Sequence, residues 1–250
     1  MRRFAFAAWL LIAGLVMAGG TRPAMAQSAA EACLAGAQGL ALGGSLPRTV
    51  ARLKSGGALT VVAMGSSSTV SLWMRDEAAT YPGVMQRELT RLRPALRVTV
   101  INSGRSGDTI PGNIARFDAD VLAHRPDLVV WQVGTNDFTW LESTDSLTGK
   151  IAGGVQTLRA GGADVILMDQ QYAPVILATR YTKMQAAIAD VARQQRVALF
   201  PRFDLMRRAV QGGLSIGALV SWDGLHLSAD GYDCVGRALA RAIAAAAEAK

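Results

Sequence analysis

Histidine and cysteine are scarce in this chain, with two of each among 250 residues. So few ligands leave no zinc-finger or multi-histidine spacing, and neither a metal nor another cofactor is expected. A mechanism that needs an imidazole base must draw on His124 or His226. Charge is thin as well, at 18% of residues against 50% hydrophobic, which marks a globular chain and excludes a disordered one. The basic residues form no stripe. Their mild cluster at Arg87, Arg91, Arg93 and Arg97 reads as a solvated helix face, so no nucleic-acid partner is expected. Internal repeats are absent.

The main long apolar run lies at the amino end. Arg2 and Arg3 precede residues 4–18, and Ala24-Met25-Ala26 gives a small-x-small pattern before Gln27. This pattern indicates a secretory signal peptide over residues 1–26, cleaved after Ala26, and a periplasmic or secreted protein. The competing reading is an uncleaved anchor. The run is near the lower limit for spanning a bilayer, so cleavage without lasting membrane insertion is the expectation. Loss of Arg2, Arg3 and Arg22 lowers the formal charge from +7 to +4. In an exported chain, Cys33 and Cys234 point to a disulfide between the amino-terminal segment and the last helix; two buried thiols are the alternative.

Residues 27–57 are Ala/Gly/Leu-rich and read as a short helix and a linker ending at Ser55-Gly56-Gly57. From there a single domain, 58–250, alternates strands with helices. Strands are expected at 59–64, 96–101, 128–133, 165–168 and 197–200. Helices are expected at 82–92, 110–123, 146–160, 179–195, 203–210 and 229–250. That rhythm predicts an α/β fold: a flavodoxin-like three-layer sandwich around a five-stranded, mostly parallel sheet. Chemistry in such a sheet gathers at the carboxyl ends of the strands.

Those ends hold usable groups. Gly65-Ser66-Ser67-Ser68-Thr69 follows the first strand, where a serine on a tight turn can serve as a nucleophile, although such a run is also ordinary turn chemistry. Asn102-Ser103-Gly104-Arg105-Ser106-Gly107-Asp108 follows the second, and Gly134-Thr135-Asn136-Asp137 the third. Gly104 offers a backbone N–H without a Cβ in the way, and Asn136 a side-chain amide. Asp223-Gly224-Leu225-His226 precedes the last helix, so Asp223 can hold one ring nitrogen of His226 while the other faces outward. His124 falls at the amino side of the third strand and reads as a surface residue.

In this order the four blocks resemble those of the SGNH/GDSL hydrolases, over essentially all of the mature domain. The resemblance implies a serine esterase or lipase without metal. By position it makes Ser67 the nucleophile, His226 the base and Asp223 its orienting group. It makes the Ser67 N–H, the Gly104 N–H and the Asn136 side chain the oxyanion donors. One departure stands out: the family's first block usually reads Gly-Asp-Ser, and Ser66 replaces the aspartate here, which opens a register question among Ser66, Ser67 and Ser68.

The expected activity is hydrolysis of short-chain acyl or acetyl esters, of small molecules or glycans, through an acyl-enzyme on Ser67. Trp73, Trp140 and Tyr172 lie near the catalytic blocks in sequence and are candidate substrate-stacking surfaces, with plain packing as the alternative. A lysophospholipase or thioesterase, or an O-acyltransferase, would use the same residues. A non-catalytic glycan- or phosphate-binding flavodoxin-like protein is the rival from another class, though the first loop lacks the extra glycines of phosphate cradles.

Overall fold

A computed structural model describes residues 28–137 and 144–248. The expected signal peptide and Trp140 therefore lie outside the described residues.

The chain runs α1 (Ala29–Ala35), α2 (Pro47–Ser55), β1 (Gly57–Gly65), α3 (Ser67–Val70), α4 (Tyr81–Leu92) and β2 (Leu96–Gly104). It continues through α5 (Ile110–Ala115), α6 (Phe117–Asp120), β3 (Leu128–Gln132), α7 (Thr144–Ala160), β4 (Asp164–Met168) and α8 (Pro174–Leu177). Then come α9 (Tyr181–Gln195), β5 (Ala198–Phe200), α10 (Arg202–Gln211), α11 (Ile216–Leu219) and α12 (Ala229–Ala246). The five strands pair in the order β2-β1-β3-β4-β5, and every pairing is parallel. This is the doubly wound order in which the strand sequence reverses between β1 and β3, the place where such sheets open a crevice.

The period-2 geometry of a strand sorts β1 into two faces. Leu59, Val61 and Ala63 join a core with α4, α10 and α12, while Val62 and Met64 join one with α5, α6, α7 and α9. Trp131 of β3 fills the second core against Phe117, edge-on at 5.0 Å between ring centroids. Both layers are buried, which is why β3 and β4 read as unbroken apolar runs instead of alternating ones.

Three expectations are corrected here. The supposed linker before residue 57 contains α2, whose Arg48 and Arg52 both bond Asp127 Oδ1, at 2.7 and 3.1 Å. The same carboxylate accepts from the Thr60 amide, and Asp164 accepts from the Thr49 amide, so α2 is fastened under the amino ends of β1, β3 and β4. The helix expected over 110–123 breaks at Arg116, whose guanidinium is drawn inward to Asp108 at 2.7 Å. Asn102, Ser103 and Gly104 lie on β2, paired to β1 through Gly65, and do not belong to the loop that follows.

Cys33 in α1 and Cys234 in α12 are joined by a disulfide, both side chains fully buried. His124 is exposed on a 3₁₀ turn before β3, away from the carboxyl ends.

Candidate active site

The carboxyl end of β1 passes through Ser66 into the four-residue helix α3, so the three serines face three directions. Ser66 turns inward, its amide and hydroxyl both donating to Gln132 Oε1. Ser68 is fully buried. Ser67 alone meets the histidine: its Oγ lies 2.9 Å from His226 Nε2. The other ring nitrogen, Nδ1, is 2.6 Å from Asp223 Oδ2.

The Asp223 loop is built to hold that pair. Asp223 Oδ1 accepts from the Leu225 and His226 amides, each at 3.0 Å, which folds the four-residue segment around its own carboxylate. Gly224 at its tip has a φ of 68°, a conformation that suits glycine. Ser228 then caps α12 by accepting from the Gly231 amide, fixing the loop to the helix that follows. Trp73 Nε1 also donates to Asp223 Oδ2, at 3.1 Å. Partial burial pushes the Asp223 carboxyl up, but bonds from His226, the Leu225 and His226 amides and Trp73 outweigh it and hold it at about 2. An ionised Asp223 fixes the tautomer of His226, leaving Nε2 free to take the Ser67 proton.

The oxyanion side departs from expectation at one residue. The Gly104 N–H is committed to Asn102 Oδ1 at 3.1 Å, so it is not available to a substrate. Gly104 is small for another reason: a Cβ there would sit 2.3 Å from the Val70 amide nitrogen, so the glycine lets α3 lie against β2. Further along the loop, Gly107 has φ +76° and an N–H with no acceptor among the described residues. It adjoins Asp108, whose carbonyl accepts from Asn136 Nδ2 at 2.8 Å. The signal for Gly107 in the sequence is the pattern Ser-Gly-Asp at 106–108. Asp108 is itself locked by Asn113 and Arg116, and Arg116 reaches back to the Gly65 carbonyl just before the serines.

Of the remaining candidates, Tyr172 is half-buried and packs edge-on against Phe203 at 5.1 Å, a core contact. Trp222, which the sequence reading passed over, lies beside Trp73 with ring centroids 5.6 Å apart. Its signal was only its place next to Asp223.

Residues 32–249 match the Non-GDSL lipase-like family. The chain belongs to that family. Ser66, standing where a Gly-Asp-Ser block has its acid, agrees with the description. Among curated proteins, esterase TesA of Pseudomonas aeruginosa is 28% identical over 169 residues, covering 68% of this chain and 80% of TesA. An arylesterase of Vibrio mimicus is 34% identical over 107 residues, 42% of this chain and 53% of its own length. Among solved structures, a two-domain esterase active on acetylated mannans superposes with a TM-score of 0.72 at 22% identity, over 83% of this chain and 55% of that one. The acetylxylan esterase Axe2 of Geobacillus stearothermophilus gives 0.65 at 22% identity, over 75% and 95%. The chain thus spans about half of the two-domain enzyme and nearly all of Axe2. The matched lipase-like family and the esterase relatives make the protein an ester-hydrolysing enzyme.

Proposed function

We propose that this is an exported serine esterase that cleaves short-chain acyl esters, acetyl esters foremost, through an acyl-enzyme on Ser67. The observation that carries the reading is the unbroken line Ser67 Oγ–His226–Asp223, at 2.9 and 2.6 Å. His226 Nε2 takes the Ser67 proton as Oγ bonds to the ester carbonyl carbon, and the carbonyl oxygen becomes an oxyanion. The Ser67 N–H, the Gly107 N–H and the Asn136 amide are the donors assigned to it. As the tetrahedral adduct collapses, the C–O bond to the alcohol breaks and His226 returns its proton to that oxygen. Water, deprotonated by His226, then attacks the acyl-serine, and collapse restores Ser67 and releases the acid.

Export is supported by the charged-then-apolar amino end and by a disulfide, which persists in oxidising compartments. Among the described residues no helix is long and apolar enough to cross a membrane. Acetylated glycans are a substrate class worth testing, because the aromatic rings of Trp73 and Trp222 stand at the site.

The test compares p-nitrophenyl acetate, butyrate and octanoate, with Ser67→Ala alongside. Turnover falling by about 10³ or more in the variant, with acetate preferred, is the expected result. Undiminished turnover in the variant would remove Ser67 as the nucleophile. A preference for octanoate would turn the enzyme toward lipid esters.

A further inference from the structure

Four large apolar side chains stand exposed among the described residues: Leu72, Trp73, Val175 and Trp222. Trp73, Val175 and Trp222 border the loop that carries Asp223 and His226. Trp222 precedes Asp223 in sequence, and Leu72 adjoins Trp73. Val175 lies against Gly224, its amide donating to the Gly224 carbonyl at 3.0 Å. Large apolar groups left in water and gathered at one place mark a binding surface, whereas scattered ones would mark nothing.

The local backbone is bent to put Trp73 there. Helix α3 stops at Ser71, a non-glycine residue at φ 70° and ψ 136°, a backbone conformation that residues with a side chain rarely adopt. The Ser71 hydroxyl accepts from the Met74 amide at 2.9 Å and closes the turn. The chain thereby doubles back and lays Trp73 edge-on to the His226 ring, with centroids 6.3 Å apart. Trp73 Nε1 then donates to Asp223 Oδ2, the same oxygen that meets His226 Nδ1. Nearly half of the Trp73 surface stays open at 47%, and Trp222 beside it is 86% exposed. One residue thus presents a ring to solvent and a donor to the triad.

We propose that Trp73 is a positioning residue for Asp223 and forms, with Trp222, the surface that selects esters whose alcohol carries a six-membered ring. This rests on the serine-esterase reading above. A ring with an exposed C–H or π face, such as a pyranose or a phenol, matches two tilted indoles in the open; a flexible acyl chain is better served by an enclosed channel. The indole N–H shares the negative charge of Oδ2 with His226. Without it, one of the bonds that hold the Asp223 carboxyl down is gone, and more of the charge on Oδ2 faces Nδ1 of His226. The other groups facing this pair are Ser67 and, from α12, Tyr232, which burial keeps protonated; the guanidinium of Arg202 lies behind Tyr232.

The experiment measures kcat and KM on phenyl acetate, an O-acetylated methyl xyloside, ethyl acetate and ethyl octanoate across pH. The proteins are the wild type, Trp73→Phe, Trp222→Ala and Ser67→Ala, each checked for an intact thermal transition. Trp73→Phe keeps a flat ring and deletes the donor. It is expected to lower kcat about tenfold on every ester, ethyl acetate included, and to move the acid limb of kcat/KM to higher pH. Trp222→Ala is expected to raise KM for the two ring esters about tenfold more than for ethyl acetate. A shared effect on both ring esters supports ring recognition as such; an effect on the xyloside or the phenyl ester alone assigns the surface to sugars or to aryl groups. A Trp73→Phe enzyme with the wild-type limb and kcat overturns the positioning role. Selective loss on octanoate in Trp222→Ala overturns ring selection in favour of an acyl-chain surface. Activity surviving in Ser67→Ala would instead defeat the underlying esterase reading.

Discussion

Ser66 gives both its amide and its hydroxyl to a single atom, Gln132 Oε1, at 3.0 and 2.9 Å. The Gln132 amide goes on to Thr135 Oγ1, that hydroxyl to Gln171 Oε1, and the Gln171 amide to the carbonyl of Leu225. A buried polar chain therefore runs from the residue before Ser67 to the residue before His226. Arg202, fully buried, adds a second donor to Gln171 Oε1. Satisfied networks of this kind rigidify a site, and broken ones are costly because each orphaned group stays desolvated.

Replacing Gln132 with leucine should accordingly do two things. It leaves the Ser66 donors without their acceptor, a loss of about 2–4 kcal/mol seen as a lower urea midpoint. It also loosens the turn into Ser67, so kcat should fall while KM changes less. Unchanged stability would mean that Ser66 finds another partner.

Gly104 and Gly107 separate two uses of glycine. Gly104→Ala drives a Cβ into the Val70 backbone, so a clear drop in melting temperature and loss of activity are expected together, as α3 is pushed off β2. Gly107→Ala meets nothing within 4 Å and carries only the cost of its φ, about 1 kcal/mol. The expected outcome is a modest stability change with a larger effect on kcat, because the N–H assigned to the oxyanion shifts. Calorimetry and steady-state kinetics on both variants check this, and the reverse pattern would return the donor role to Gly104.

The positions of the glycines also show where sequence reasoning stopped. Strand and helix alternation was visible because the buried strands are short apolar runs, and Asp223 and His226 stood three residues apart in one loop. The direction of the Gly104 N–H depends on Asn102 Oδ1, and the break at Arg116 on a carboxylate eight residues away. Helix α2 has local marks, Pro47 in its first turn and Gly56 at its end, but Asp127, which anchors it, lies 75 residues beyond Arg52. Trp222 belongs to no period.

Acid and neutral pH should act oppositely on stability. Burial pushes the Asp169 carboxyl up to about 7, against the Phe203 amide and the Arg202 charge that favour ionisation. Unfolded, it would titrate near an ordinary value of about 4. Between about pH 4 and 7 the unfolded chain has released this proton and the folded one keeps it, so this group makes stability fall as pH rises. Asp223, and Glu88 held at about 2 by Arg91 and Arg241, do the reverse. Their stabilisation is present above about pH 4 and is lost as pH falls toward 2. Asp169→Asn should flatten the decline between pH 4 and 7 in urea midpoints, and an identical slope in both proteins would contradict the raised value.

Cys33→Ser with Cys234→Ser should lower stability by about 5 kcal/mol, the chain-entropy value for a bridge spanning 201 residues. Neither sulfur touches the triad. Turnover measured well below the new melting temperature should therefore stay within about twofold, and a collapse of kcat in folded protein would tie α1 to the chemistry.

Ser67 and His226 stand 159 residues apart along the chain. A polypeptide that emerges amino end first therefore displays its serine long before it owns a base, and during that interval the hydroxyl is as unreactive as any other. On the proposed mechanism, hydrolysis begins only when the last helix docks and brings its preceding loop home. Ester turnover would then be a readout of completed folding, and a chain halted short of residue 226 would lack the proposed base.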